Sequence, residues 1–185
     1  MRDPYDRVWT LPNALSMLRI LLIGVFIALL ANKQDGWAIA TLAVTGFSDF
    51  FDGFLARRWN QVTKLGAILD PAADRLLTLA IVLGLGARGI VPWWLVAVLL
   101  ARDAFAAVML AWGKSRGATA PAVTFSGKAA TFGLYVFLPL MFLAHGHWPP
   151  VVAVAFVGAL VAAVVYWYSA IGYARDIRSR VAATR

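Results

Sequence analysis

Long apolar runs alternate with short polar connections along the whole chain. Six such runs lie at about 13–31, 37–57, 66–86, 91–112, 128–144 and 150–173. Most are near the ~20 residues that an α-helix needs to cross a hydrocarbon core of ~30 Å. The pattern therefore predicts an all-α, polytopic membrane protein whose six transmembrane helices form a single domain over residues 1–185.

The composition supports a membrane protein over a soluble one. Hydrophobic residues make up 62% of the chain and charged residues 14%, against roughly 45–50% and 25% in soluble domains. A soluble protein of this length would have to expose much of that apolar surface to water. The chain has no Cys, which excludes a disulfide framework and a thiolate metal site.

The basic residues indicate an orientation in the membrane. The net charge of +8 does not predict a nucleic-acid partner, because the basic residues occupy short loops between apolar runs. They cluster at both termini and in the second and fourth connections, so the positive-inside rule puts both termini in the cytoplasm. Tryptophans then fall at predicted outward helix ends, as in aromatic belts: Trp93, Trp94 and Trp148. We expect a multi-pass protein of the cell membrane that contacts membrane lipids.

The polar start of the chain is open to two interpretations. Residues 2–10 mix Arg and Asp with Tyr5, Val8 and Trp9. This mixture is compatible with a short interfacial helix that leads into the first span, and equally with a frayed polar tail.

Four of the nine acidic residues lie close together around the second connection. Asp49 and Asp52 are spaced i, i+3 in the second run, and Asp70 and Asp74 are spaced i, i+4 in the third. Each pair therefore shares one face of its helix. Because the two helices are joined by a short connection, a helical hairpin would bring both pairs together just inside the cytoplasmic boundary.

Four carboxylates at this depth predict a functional site. Ionisable residues in membrane helices are costly, and they usually face a cavity. Carboxylate ligands favour hard cations, with Mg²⁺, Mn²⁺ and Ca²⁺ as candidates. Two divalent ions would balance the four carboxylates and would allow a phosphate-bearing substrate to bind. A cation-coupled transporter or an ion channel would also explain buried acids, although its carboxylates would be expected nearer the midplane.

The spacing of these residues resembles the signature of the CDP-alcohol phosphatidyltransferase family. The segment reads Asp49-x2-Asp52-Gly53-x2-Ala56-Arg57-x8-Gly66-x3-Asp70-x3-Asp74 and agrees at every fixed position. The resemblance implies an enzyme of phospholipid biosynthesis that transfers a phosphatidyl group from CDP-diacylglycerol to an alcohol and releases CMP. It also implies a homodimer, although no residue of this chain requires one.

The resemblance also implies roles for individual residues. Asp49, Asp52, Asp70 and Asp74 would bind two ions, Mg²⁺ or Mn²⁺, and Asp74 would be the catalytic base. The nucleotide pocket would be lined by residues of the same segment: Asp52, Gly53, Ala56, Arg57 and Gly66. For the small residues among them, ordinary packing between helices is the alternative.

A second resemblance concerns the acceptor alcohol. Residues 10–19, TLPNALSMLR, are similar to the start of phosphatidylglycerophosphate synthases and cardiolipin synthases. In that comparison Asn13 and Ser16 would face the nucleotide. Read without it, Asn13 or Ser16 caps or lines the helix, and Arg19 snorkels or pairs with an acid. We expect glycerol-3-phosphate as the acceptor, with phosphatidylglycerol as the alternative.

Two basic residues are candidates for binding a phosphate of the acceptor. Arg102 precedes Asp103 in the fourth run, where many phosphatidylglycerophosphate synthases have Arg-Glu, and Lys128 belongs to the segment GKAATF. That segment resembles an actinobacterial branch of phosphatidylglycerophosphate and cardiolipin synthases. The alternatives are an internal ion pair between Arg102 and Asp103 and a topology-setting interfacial Lys128.

Overall fold

The chain folds into α-helices, in agreement with the apolar pattern. A computed structural model describes residues 11–59, 66–119 and 124–183. Within these ranges there are six helices and no strand: α1 Leu11–Ala31, α2 Asp35–Trp59, α3 Gly66–Ala87, α4 Trp93–Ser115, α5 Phe125–Ala144 and α6 Pro149–Ala183. The all-α prediction is confirmed. The interfacial helix expected at 2–10 lies outside the described residues.

Four helices are long and apolar enough to cross a membrane, as judged over the described ranges. They are α1, α4, α5 and α6, over Asn13–Ala31, Trp93–Ser115, Phe125–Ala144 and Pro149–Ala182. Helices α2 and α3 carry the charged segment, from Asp49 to Arg58 in α2 and from Asp70 to Arg75 in α3, and the side chains of 49–59, 66–68, 70 and 71 lie outside the described part of the structure. The count of six spans therefore remains a prediction.

The chain divides into two compact units, Met1–Arg88 and Gly89–Arg185. In the first unit α1 packs against both α2 and α3. The buried apolar face of α1 consists of Ile23, Phe26 and Leu30, which follow the 3–4 spacing of a helix stripe. A left-handed residue, Lys33, reverses the chain in the short connection between α1 and α2.

An arginine connects the three helices of this unit at one end through hydrogen bonds. Arg88, directly after α3, donates from Nη1 to Leu30 O at 2.8 Å and to Asp35 Oδ1 at 2.7 Å. Its Nη2 donates to Asp35 Oδ2 at 3.0 Å, so the carboxylate is held in a bidentate pair. We call these contacts the Arg88 clasp. Because they join the ends of α1 and α3 to the start of α2, α1 and α3 run parallel and α2 runs antiparallel to both.

In the second unit α6 packs against α4 and α5. The α5–α6 contact depends on small residues, since a Cβ atom built on Gly158 would lie 2.5 Å from the Phe137 ring and one on Gly133 3.1 Å from Ala162 Cβ. Thr124 caps α5 by accepting a hydrogen bond from the backbone N–H of Gly127, which starts this helix three residues earlier than expected.

Helix α6 continues well past the apolar run that predicted it. The run ends near residue 173, whereas the helix has 35 residues and ends at Ala183, a length of about 52 Å at 1.5 Å per residue. Its last turns bury Ala174, Ile177 and Val181 in a cluster with Met109 and Ala118. Packing against these residues extends the helix into a charged segment.

Candidate active site

One face of α1 changes from polar to apolar along its length. Asn13, Ser16 and Arg19 are each only 1% exposed, and the same stripe continues with Ile23 and the other buried apolar residues of this helix. Polar side chains are rarely buried to this degree unless they have partners. The first turns of α1 therefore face a polar region inside the first unit.

An acid of the predicted site forms an ion pair with Arg19. Arg19 Nη1 lies 3.9 Å from Asp74 Oδ1, and the side chain of Asp74 is 53% exposed. Of the two interpretations left open for Arg19, the structure thus shows the ion pair with an acid. Asp74 thus has a buried cation within 4 Å, while about half of its side chain remains accessible.

The acids of α2 and α3 lie at matching levels above the Arg88 clasp. Asp49 is 14 residues after Asp35, Asp74 is 14 residues before Arg88, and Ser16 is 14 residues before Leu30. At 1.5 Å per residue each lies about 21 Å along its helix from the clasp.

The remaining polar residues lie about one turn farther along the same helices. Asp52 and Asn13 are 17 residues from Asp35 and Leu30, and Asp70 is 18 residues from Arg88. The two acidic pairs therefore occupy the same layer of the unit as the polar half of α1.

Most of the predicted metal and nucleotide ligands are described only by their place in a helix. Asp49, Asp52, Gly53, Ala56 and Arg57 belong to α2, and Gly66 and Asp70 to α3, but their side chains lie outside the described part of the structure. Among the side chains that the structure describes, no group of three or more His and Asp residues is close enough to hold a metal ion. The metal assignment thus stays a prediction for the whole quartet.

The two candidate acceptor residues belong to the second unit. Lys128 is exposed in the first turn of α5. Arg102 is buried, with Nη1 3.1 Å from Asp103 Oδ1 and Nε donating to Tyr166 O at 3.3 Å. The internal pair that the sequence offered as an alternative role for Arg102 is therefore present.

Tyr166 completes this network and was not singled out from the sequence. Its hydroxyl donates to Asp103 Oδ1 at 2.7 Å, and the Arg102 guanidinium carbon lies 3.5 Å from the centre of its ring. The sequence gave one signal for this role, a tyrosine within a long apolar run, because a buried tyrosine hydroxyl usually has a hydrogen-bond partner. The run does not identify that partner as Asp103.

Comparison with known proteins establishes the family. The profile of the CDP-alcohol phosphatidyltransferase family matches residues 9–170. The chain therefore belongs to this family and is a CDP-alcohol phosphatidyltransferase, as the spacing of the Asp segment predicted. Members of the family generally use divalent metal ions.

Individual relatives carry two different names. A cardiolipin synthase (CMP-forming) of Streptomyces coelicolor is 43% identical over 96% of this chain and 87% of its own length. A putative cardiolipin synthase of Mycobacterium tuberculosis is 48% identical over 75% of this chain and 66% of its own length. A CDP-diacylglycerol–glycerol-3-phosphate 3-phosphatidyltransferase of Escherichia coli is 33% identical over 92% of this chain and 96% of its own length.

Proposed function

We propose that this enzyme transfers the phosphatidyl group of CDP-diacylglycerol to phosphatidylglycerol, which gives cardiolipin and CMP. The observation that carries the choice of acceptor is the identity of 43% and 48% to proteins named cardiolipin synthases, against 33% to the glycerol-3-phosphate enzyme. The sequence alone favoured glycerol-3-phosphate and gave phosphatidylglycerol as the alternative, so the proposal adopts the alternative acceptor.

Glycerol-3-phosphate is the second candidate acceptor. It is supported by the Escherichia coli relative, which aligns over nearly the whole of both chains. Either acceptor presents a hydroxyl and a phosphate, so the same reaction and the same site serve both. Arg102 and Lys128 are proposed to attract that phosphate. Lys128 is exposed and would contact it directly, whereas Arg102 would divide its charge between the phosphate and Asp103.

The proposed metal centre consists of Asp49, Asp52, Asp70 and Asp74. The donor set fits divalent Mg²⁺ or Mn²⁺, because all four side chains offer carboxylate oxygens. The shared layer of the two acidic pairs and the exposed carboxylate of Asp74 support a common centre. When bound, two such ions would neutralise the diphosphate of the donor and stabilise the charge that develops on the leaving CMP.

The residues of the chain would perform two tasks in the transfer. Asn13 and Ser16 bind the nucleotide from α1, together with Gly53, Ala56, Arg57 and Gly66. Asp74 accepts the proton of the acceptor hydroxyl, whose oxygen forms a bond to the lipid-side phosphorus. The bond between that phosphorus and the oxygen of CMP breaks, and CMP leaves with the electron pair.

The same proposal includes the arrangement in the membrane. Helices α2 and α3 are taken as spans beside the four apolar ones, within one domain of six spans in the cell membrane. The basic residues at the termini and connections favour cytoplasmic termini and a cytoplasmic active site. A homodimer remains a prediction from the family resemblance.

The decisive experiment is CMP release by the purified protein in detergent with CDP-diacylglycerol and Mg²⁺. Phosphatidylglycerol and glycerol-3-phosphate are offered in separate reactions. Turnover with phosphatidylglycerol and not with glycerol-3-phosphate is expected. The reverse result would make glycerol-3-phosphate the acceptor, and no CMP release with either would contradict the glycerol-type assignment. Chelation by EDTA should abolish turnover, and added Mg²⁺ or Mn²⁺ should restore it.

A further inference from the structure

A buried arginine contacts the predicted catalytic carboxylate from a neighbouring helix. Arg19 is 1% exposed and belongs to α1, whereas Asp74 belongs to α3, and their nearest charged atoms are 3.9 Å apart. The family signature from Asp49 to Asp74 does not include Arg19. The roles proposed above for the metal centre, the nucleotide pocket and the acceptor do not use it either.

We infer that Arg19 is a positioning residue for Asp74, which it holds in the orientation that the transfer requires. The inference rests on the proposed function, because it takes Asp74 to be the metal ligand and base. It does not depend on which alcohol is the acceptor.

The direction of the side chain favours this role. Helical side chains lean towards the N-terminus of their own helix. Arg19 lies 11 residues before Leu30, about 16 Å from the clasp at 1.5 Å per residue, and Asp74 lies about one turn farther along. Arg19 thus extends towards the layer that contains the acids, and because its side chain is only 1% exposed it does not reach solvent there as a snorkelling side chain would.

The chemistry of the surroundings points the same way. A guanidinium this deeply buried is expensive unless a carboxylate or another partner compensates it. The next positions of the same stripe are Ile23 and Phe26, so an apolar residue would suit the packing of α1. A charged residue here has the carboxylate of Asp74 as an ion-pair partner at 3.9 Å, and this attraction favours the orientation of the carboxylate that faces Arg19. Residues that orient a metal ligand in this way usually matter almost as much as the ligand.

The test compares three variants of the full-length protein in detergent. Arg19→Gln removes the charge, Arg19→Lys keeps a charge with different geometry, and Arg88→Gln is the matched control. Arg88 also forms an Arg–Asp pair within the first unit, but it belongs to the clasp at the far end of the helices. For each variant, kcat and the KM for CDP-diacylglycerol are measured per folded molecule, together with thermal stability.

The expected result separates positioning from packing. Arg19→Gln should lower kcat by about 10- to 100-fold, the range typical of residues that orient metal ligands, with KM changed by less than about threefold. Arg19→Lys should recover part of that loss. Arg88→Gln should lower the melting temperature and leave kcat within about twofold, because a break in the clasp affects folding and not the orientation of Asp74.

Two results would overturn the inference. One is a kcat of Arg19→Gln within twofold of the wild type, with only a stability loss like that of Arg88→Gln. The other applies if Arg19→Gln does not fold. Arg19→Lys is then compared with the wild type, and a kcat of Arg19→Lys within twofold of the wild-type value overturns the inference. A wild-type protein that releases no CMP with either acceptor would contradict the proposed function instead, before any variant is compared.

Discussion

Arg102 is a cation that the second unit keeps within an apolar helix by surrounding it with partners. Asp103 supplies a carboxylate, and Tyr166 supplies a backbone oxygen, a ring face and a hydroxyl that also contacts the carboxylate. Each member of the network contacts the other two. At such a largely buried site each contact helps to compensate the two charges, so the loss of one costs more than the loss of an exposed hydrogen bond would.

Removal of one hydroxyl should therefore destabilise the protein measurably. Tyr166→Phe deletes the 2.7 Å hydrogen bond to Asp103, and we expect a loss of about 1–2 kcal/mol in the free energy of unfolding. Thermal unfolding in detergent measures it. Tyr168→Phe is the control, because Tyr168 is two residues away and exposed, and it should change the free energy by less than about 0.5 kcal/mol. Equal effects of the two variants would contradict the network.

The carboxylate of Asp74 permits a matching prediction about activity. Asp74→Asn keeps the shape of the side chain but removes its charge and basicity, so we expect CMP release to fall at least about 100-fold, or ~2.7 kcal/mol in activation free energy. Asp176→Asn is the control, since Asp176 forms only a half-exposed pair with Arg180 and should stay within about twofold. Rates are compared per folded molecule. Near-normal turnover by Asp74→Asn would remove Asp74 from the mechanism.

At the residue scale the sequence identified candidate site residues better than it identified the contacts between them. The spacing from Asp49 to Asp74 was enough to predict the family, because fixed intervals along two helices translate directly into shared faces. The pair between Arg19 and Asp74 joins residues 55 positions apart. The sequence left open whether Arg19 snorkels or pairs with an acid. The answer depends on how α1 is rotated against α3, and this rotation is set by packing, which the spacing of residues along the chain does not reveal.

Helices α5 and α6 approach each other closely because glycines lie at their contact. Gly158 faces the ring of Phe137, and Gly133 faces Ala162. Membrane helices gain little from hydrophobic burial against one another, so close van der Waals contact contributes much of their association. The contact between these two helices should therefore be sensitive to a single added methyl group.

Two alanine substitutions in the same helix test this sensitivity. Gly158→Ala would put Cβ 2.5 Å from the Phe137 ring, whereas a Cβ at Gly172 meets nothing within 4 Å. We expect Gly158→Ala to lower the free energy of unfolding by about 1–3 kcal/mol through overpacking. Gly172→Ala should be neutral or stabilising by up to about 1 kcal/mol, because alanine favours the helix. Unfolding in detergent compares the two, and a stabilised Gly158→Ala would contradict the close contact.

At the element scale the apolar runs predicted the existence of all six described helices but not the end of the last one. Arg175 and Asp176 marked the end of the run, since hydropathy registers where a chain leaves the hydrocarbon core. Helix α6 continues because Ile177 and Val181 still pack on Met109 and Ala118. A helix ends where its packing and hydrogen bonding end, and charge alone does not determine that point.

The proposed orientation of the whole molecule can be measured directly because the chain contains no cysteine. Single cysteines are introduced as His147→Cys, in the turn between α5 and α6, and as Arg178→Cys, near the end of α6; both positions are exposed. A membrane-impermeant maleimide should label the cysteine at position 147 in intact cells and the one at 178 only after permeabilisation. The unsubstituted protein is the control, and the opposite labelling pattern would reverse the proposed topology.

The Arg88 clasp also has a consequence for the order in which the protein is made. Its three partners come from the end of α1, the start of α2 and the residue after α3, so the clasp closes only once the third helix has been synthesised. Arg88 is also the last residue of the first compact unit. A ribosome that has released residue 88 has thus supplied every group needed to assemble the half that contains the acids, before the second half exists. The position of one arginine thus allows the first half to assemble before the second half is synthesised.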